Sequence, residues 1–130
     1  MENNFIHKNA KLGTNVQVGR FSYIDDNVEI GDNTVIAAQT GIAGSTKIGK
    51  DTMIGGQVGI IGHLKIADKV KIAAQSGIGH NIEEEGAVVQ GSPAFAYGDY
   101  KRSYILYRKL PELNTKINQL EKLLENFKNK

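Results

Sequence analysis

The side chains able to take and return a proton near neutral pH are three histidines, His7, His63 and His80. There is no cysteine, which removes thiolate nucleophiles, disulfides and thiolate metal sites. Asp25-Asp26, followed by Asn27, reads either as a carboxylate base or as an ordinary corner, since Asp and Asn are common turn residues. An exposed aspartate titrates at about 4 and is a feeble base toward an amine. His7, beside Ile6, reads as an exposed cap of the first turn, and His80 as a corner residue.

Composition narrows the rest. Sixteen Lys+Arg against fourteen Asp+Glu give a formal charge of +2, which makes no electrostatic case for nucleic acid. The opening Met1-Glu2-Asn3-Asn4 lacks the basic and apolar segments of a signal peptide, and no apolar run approaches the roughly 20 residues of a membrane span. The expectation is a cytoplasmic protein.

The elements that must position these groups follow from an internal repeat. An aliphatic residue recurs every six positions: Ile6, Leu12, Val18, Ile24, Ile30, Ile36, Ile42, Ile48, Ile54, Ile60, Ile66, Ile72 and Ile78, with no failure until Glu84. Four residues after each comes a smaller or β-branched one, such as Val28, Thr34, Thr40, Thr46 and Thr52. A period of six suits neither an α-helix nor an alternating strand. It suits a coil with three flat faces, in which three hexads close one turn. Gln39, Gln57 and Gln75 are spaced by 18, as are Gly41, Gly59 and Gly77, and this independently supports an 18-residue turn. The glutamines are expected to bond along the stack as a structural ladder.

The expected fold is therefore an all-β solenoid with an α tail: a parallel β-helix over residues 5–92 and a helical extension over 93–130. Between four and five turns make a short prism with open ends, and trimerisation would cover a face of each copy. The hexads stop at Glu83-Glu84-Glu85, and Gly91-Ser92-Pro93 marks the exit. One helix is expected over Tyr97 to Arg108 and a second from Pro111. On the second, Leu110, Leu113, Ile117, Leu120, Leu124 and Phe127 form a heptad-like seam, for the prism or for its own copies.

Ile30-Gly31-Asp32-Asn33-Thr34, Ala43-Gly44-Ser45-Thr46-Lys47-Ile48-Gly49, Met53-Ile54-Gly55-Gly56-Gln57, Gly62-His63-Leu64-Lys65-Ile66 and Gln90-Gly91-Ser92-Pro93-Ala94 narrow the field further. With these segments, residues 24–113 resemble the C-terminal half of the UDP-3-O-(3-hydroxyacyl)glucosamine N-acyltransferases of lipid A biosynthesis. The resemblance implies a left-handed coil, against the usual right-handed crossover. It also implies transfer of a 3-hydroxyacyl group from the phosphopantetheine thioester of acyl carrier protein to an amine, with no tightly bound cofactor. Gly44 matches the family position whose backbone N–H holds the oxyanion, and His63 matches the assisting histidine. Gly77 and Gly79 fall where acyl length is limited, and small residues there would admit a long chain. Lys101, Arg102, Arg108 and Lys109 either steer acyl carrier protein or form a solvated face.

Three departures accompany the resemblance. The family's base histidine is replaced by Asp26. The family's N-terminal uridine-recognition domain has no counterpart in these residues, and the coil is about half as long. No two histidines have the five-residue spacing used by zinc sites on such coils, so no metal is expected. Two readings stay open: an acyltransferase using Gly44 and His63 with an unconventional base, or a non-catalytic trimeric scaffold.

Overall fold

The computed structural model describes residues 3–129. Each hexad forms a two-residue strand whose first side chain points out and whose aliphatic second side chain points into the coil. Strands 18 residues apart pair in parallel, as in Ile6 with Ile24, Leu12 with Ile30 and Val18 with Ile36. Three sheets result. The first comprises Phe5–Ile6, Tyr23–Ile24, Gly41–Ile42, Gly59–Ile60 and Gly77–Ile78. Lys11–Leu12, Glu29–Ile30, Lys47–Ile48 and Lys65–Ile66 make the second. The third holds Gln17–Val18, Val35–Ile36, Met53–Ile54, Lys71–Ile72, Val88–Gly91 and Ala94–Ala96. The architecture is a left-handed β-helix of about five turns with two C-terminal helices.

The three stacks of aliphatic residues read from the hexads are the core. Ile24, Ile36, Ile42, Ile66 and Ile78 are almost wholly excluded from solvent. Thr34, Thr40, Thr46 and Thr52 are buried with them, and each hydroxyl is satisfied by donating to a backbone carbonyl at 2.9–3.0 Å. The glutamine ladder forms on the outside, Gln57 Nε2 donating to Gln39 Oε1 at 2.8 Å and Gln75 Nε2 to Gln57 Oε1 at 2.9 Å.

Corners carry a feature that the hexads do not announce. In most corners one residue adopts positive φ, among them Asn15, Asn27, Asn33, Gln39, Ser45, Gln57 and His63. Asn enters this region at lower cost than other non-glycine residues, and several corners use it. At five corners, those of Gly13, Gly19, Gly31, Gly49 and Gly55, the residue next to the aliphatic one passes so close to the following coil that a side chain is excluded. A Cβ on Gly31 would lie 2.4 Å from the Lys50 nitrogen, and one on Gly19 would lie 2.5 Å from that of Ala38.

The hexad pattern ends near Glu84, but pairing does not. Ile82 bridges Ile66, and Val88 and Val89 pair with Lys71 and Ile72. The last coil skips residues in its corners and still closes, because backbone pairing and buried aliphatics, rather than the six-residue count, are what it needs. Ala94–Ala96 then folds back antiparallel on Val88–Gly91 after the Ser92–Pro93 turn. The chain divides into compact units after Tyr97, a little beyond the boundary read at residue 92. Helix α1 spans Tyr97–Arg108, starting at the last residue of the first unit, and helix α2 spans Leu110–Lys128, with no buried residue in either. The seam residues Leu110, Ile117, Leu120, Leu124 and Phe127 are exposed.

Gly31→Ala is expected to cost at least about 2 kcal/mol, since the coil spacing must open. By contrast Gly41→Ala should be neutral or slightly stabilising, because a Cβ there meets nothing within 4 Å. Urea unfolding of the two variants measures the contrast.

Candidate functional site

The outer face of the first sheet is unlike the other two. The second sheet shows Lys11, Glu29, Lys47 and Lys65, with Lys47 and Glu29 paired at 3.6 Å. On the first sheet the outward residues are Phe5, Tyr23, Gly41, Gly59 and Gly77. Phe5 and Tyr23 stack with ring centroids 4.9 Å apart. Beyond them the glycines leave a groove of about 730 Å³, walled by residues including Ala43, Ile61 and Gly79 and closed by Ser92 and Pro93.

These glycines are not there for the fold. A Cβ at Gly41, Gly59 or Gly79 would meet nothing within 4 Å, in contrast to the crowded corner glycines. Their effect is to keep the surface low, which is what an extended apolar ligand needs. Gly77 differs, since a Cβ there would come 2.7 Å from Ser92 Oγ, so Ser92 overhangs the end of the groove. Gly77 and Gly79 thus both line the groove, together with Gly41 and Gly59, whose 18-residue spacing marked the turn but not its surface. Outward glycines recurring at 18 in a strand that otherwise favours side chains are the signal for it.

At the rim, the corner after Ile42 holds Gly44. In every described coil the N–H at this corner position lacks a carbonyl partner. Those of Thr14 and Lys50 are capped by Asp32 and Asp68 Oδ1 at 2.7 and 2.9 Å. That of Gly44, like those of Arg20, Ala38, Gly56, Gly62 and Ala74, is paired with no acceptor among the described residues, which leaves it available to an oxyanion. His63 sits one coil further on, exposed, and its backbone N–H donates to the Gly44 carbonyl at 3.0 Å. Its imidazole makes no hydrogen bond or ion pair among the described residues, and neither does that of the exposed His80.

Asp26 lies one coil before Gly44, its carbonyl accepting from Ser45 N–H at 2.9 Å. Its carboxylate, however, is turned toward the preceding coil. Asp26 Oδ1 accepts from Asn9 Nδ2 at 3.0 Å and stands 3.3 Å from His7 Nδ1. His7 is correspondingly not the free cap read from sequence. Its side chain is 27% exposed, its Nδ1 accepts from the Asn9 N–H at 3.1 Å, and its ring edges onto Phe5. The separation from His7 to Asp26 is one turn plus one residue, which makes them diagonal neighbours on the coil. Among the described residues no cluster of His, Asp and Glu is placed to hold a metal.

The bacterial transferase hexapeptide (six repeats) family model matches residues 9–44 and 45–80, more than half of the chain. The chain belongs to this hexapeptide transferase family. A UDP-3-O-acylglucosamine N-acyltransferase of Christiangramia forsetii is 55% identical over 49 residues, 38% of this chain and 14% of that protein. One from Cytophaga hutchinsonii is 50% identical over 44 residues, 34% of this chain and 13% of that protein. The resemblance drawn from the hexads and the Gly-His-Leu-Lys segment is therefore matched by real relatives. Among solved hexapeptide structures, a serine acetyltransferase of Neisseria gonorrhoeae superposes with a TM-score of 0.69 at 26% identity, covering 72% of this chain and 40% of that one. The serine acetyltransferase of Brucella abortus strain S19, at 24% identity and a TM-score of 0.67 over 71% of this chain and 40% of that one, shows the shared fold. The chain thus spans well under half the length of the relatives it matches.

Gly59→Val places a β-favouring side chain in the middle of the groove without touching the core. We expect its melting temperature to match or exceed the parent's while binding of an acyl-pantetheine, followed by calorimetry, falls at least tenfold.

Proposed function

We propose that this hexapeptide transferase moves a 3-hydroxyacyl group from the phosphopantetheine thioester of acyl carrier protein to the amine of an acylated UDP-glucosamine. The observation that carries the reading is the glycine-floored groove, whose wall includes Ala43, the chain neighbour of Gly44 with its open N–H. The acyl chain lies on Gly41, Gly59, Gly77 and Gly79, and the thioester carbonyl reaches the corner. The acceptor nitrogen attacks that carbon as the carbonyl oxygen becomes an oxyanion held by the Gly44 N–H. The C–S bond then breaks, and the proton lost by nitrogen goes to the departing thiolate. His63 assists, and the family's base position is held by Asp26.

A homotrimer fits the same reading. Val35 and Met53 are exposed on the third sheet, and five of the six α2 seam residues are exposed, Leu113 being half-buried, so each unit has apolar surface for a copy to cover. Lys101, Arg102, Arg108 and Lys109 supply positive charge for an acidic carrier protein.

One observation favours a second reading, a non-catalytic trimeric scaffold. Asp26 occupies the family's base position but is committed to Asn9 and His7.

Transfer from 3-hydroxyacyl carrier protein to acylated UDP-glucosamine, measured on the parent chain, His63→Asn and Asp26→His, separates the two. Asn suits the positive φ of position 63, so the first variant removes the imidazole with little strain. The enzyme reading expects turnover in the parent and a loss of roughly 100-fold in His63→Asn. Turnover only in Asp26→His would support the scaffold reading for the unaltered chain.

A further inference from the structure

The carboxylate at the mouth of the groove is not the one that sequence position singles out. Asp25 lines the groove along with Tyr23 and Ala43, while Asp26 faces the preceding coil. We infer that Asp25 receives the amino group of the acceptor and makes the groove selective for a cationic or N–H-donating head.

Its two oxygens have different surroundings. Oδ1 accepts from the Asp26 N–H at 2.7 Å, with Tyr23 Oη at 3.5 Å, and these contacts orient the carboxylate. Oδ2 points the other way and comes 3.7 Å from where a Cβ on Gly44 would stand. No Lys, Arg or His forms an ion pair with Asp25 among the described residues. The rest of the lining is chiefly Gly, Ala and Ile, a low-polarity wall that strengthens the attraction of one carboxylate for a positive head.

The location suits acyl transfer to nitrogen. As the C–N bond forms, nitrogen gains positive charge while oxygen gains negative charge. Asp25 Oδ2 lies 3.7 Å from the Cβ position of Gly44, so a carboxylate neighbours the corner that carries the open N–H, and the two are available to those two charges. Asp25 holds the nitrogen through its N–H groups, and the surplus proton passes to the thiolate when the C–S bond breaks. A hydroxyl acceptor develops less charge and gains less from Asp25.

This inference rests on the acyl-groove reading, and the test keeps the two apart. Decylammonium, decanol and decanoate are titrated calorimetrically into the parent chain, Asp25→Asn and Gly59→Val, with circular dichroism confirming that each variant is folded. The parent should bind decylammonium about five-fold more tightly than decanol and decanoate least. Asp25→Asn should bind decanol as the parent does and lose the preference for the ammonium. Gly59→Val should lose all three ligands. A preference for the ammonium that persists in Asp25→Asn, or an absence of preference in the parent, overturns the role of Asp25 and leaves the groove standing. Failure of every decyl ligand to bind the parent overturns the groove reading and this inference together.

Discussion

Everything in the β-helix depends on one repeated contact, the hydrogen bond from a backbone N–H to the carbonyl 17 residues further on, as from His7 to Ile24 and from Ala43 to Ile60. The contact holds successive coils at the strand spacing of about 4.8 Å. At that distance only the smallest residues fit where one corner passes under the next, which is why Gly19, Gly31 and Gly55 stand there. Within the coil, the same spacing packs Ile on Ile and leaves no room for a polar group that cannot bond to a neighbouring carbonyl. The buried threonines meet that condition, each finding a carbonyl for its hydroxyl. Position within the hexad thus determines whether a residue is core, corner or surface.

That regularity explains which parts of the protein were legible beforehand. The interior stacks, the 18-residue turn, the glutamine ladder and both helices follow from period and composition, because each is a property of a column or a seam. The end of the coil was less legible. Glu83, Glu84 and Glu85 break the hexads, yet Ile82 and Val89 remain buried in continuing pairs. Backbone pairing tolerates a shortened corner that a count of six does not.

The candidate site was legible only by column. Arithmetic placed Asp26, Gly44 and His63 along one corner, and the coil does place them there. It could not say where side chains turn. Asp25 and Asp26 are adjacent in sequence and equally plausible as turn residues, yet one enters the groove and the other reaches back to Asn9 and His7. The difference is set by diagonal neighbours in adjoining coils, and a periodic pattern carries no information about diagonals. The contact of His7 with Asp26 is another such diagonal.

The separation of fold from chemistry has a physical origin in the same architecture. The coil constrains its interior and its crowded corners, and it constrains the outward positions hardly at all. The Asp26 carboxylate reaches Asn9 and His7 rather than the aliphatic core. A glycine at 41, 59 or 79 is equally optional for packing, since nothing occupies the space its side chain would take. Glycine in a strand is, if anything, a cost to stability. The outward glycines therefore need an explanation other than folding, and a ligand lying along the sheet supplies one. By that reasoning the groove is better evidence of function than the hexads, which any member of the family needs simply to fold. Asp25, lining the groove with those glycines and beside the corner that carries the open Gly44 N–H, is where that evidence and the chemistry of acyl transfer meet.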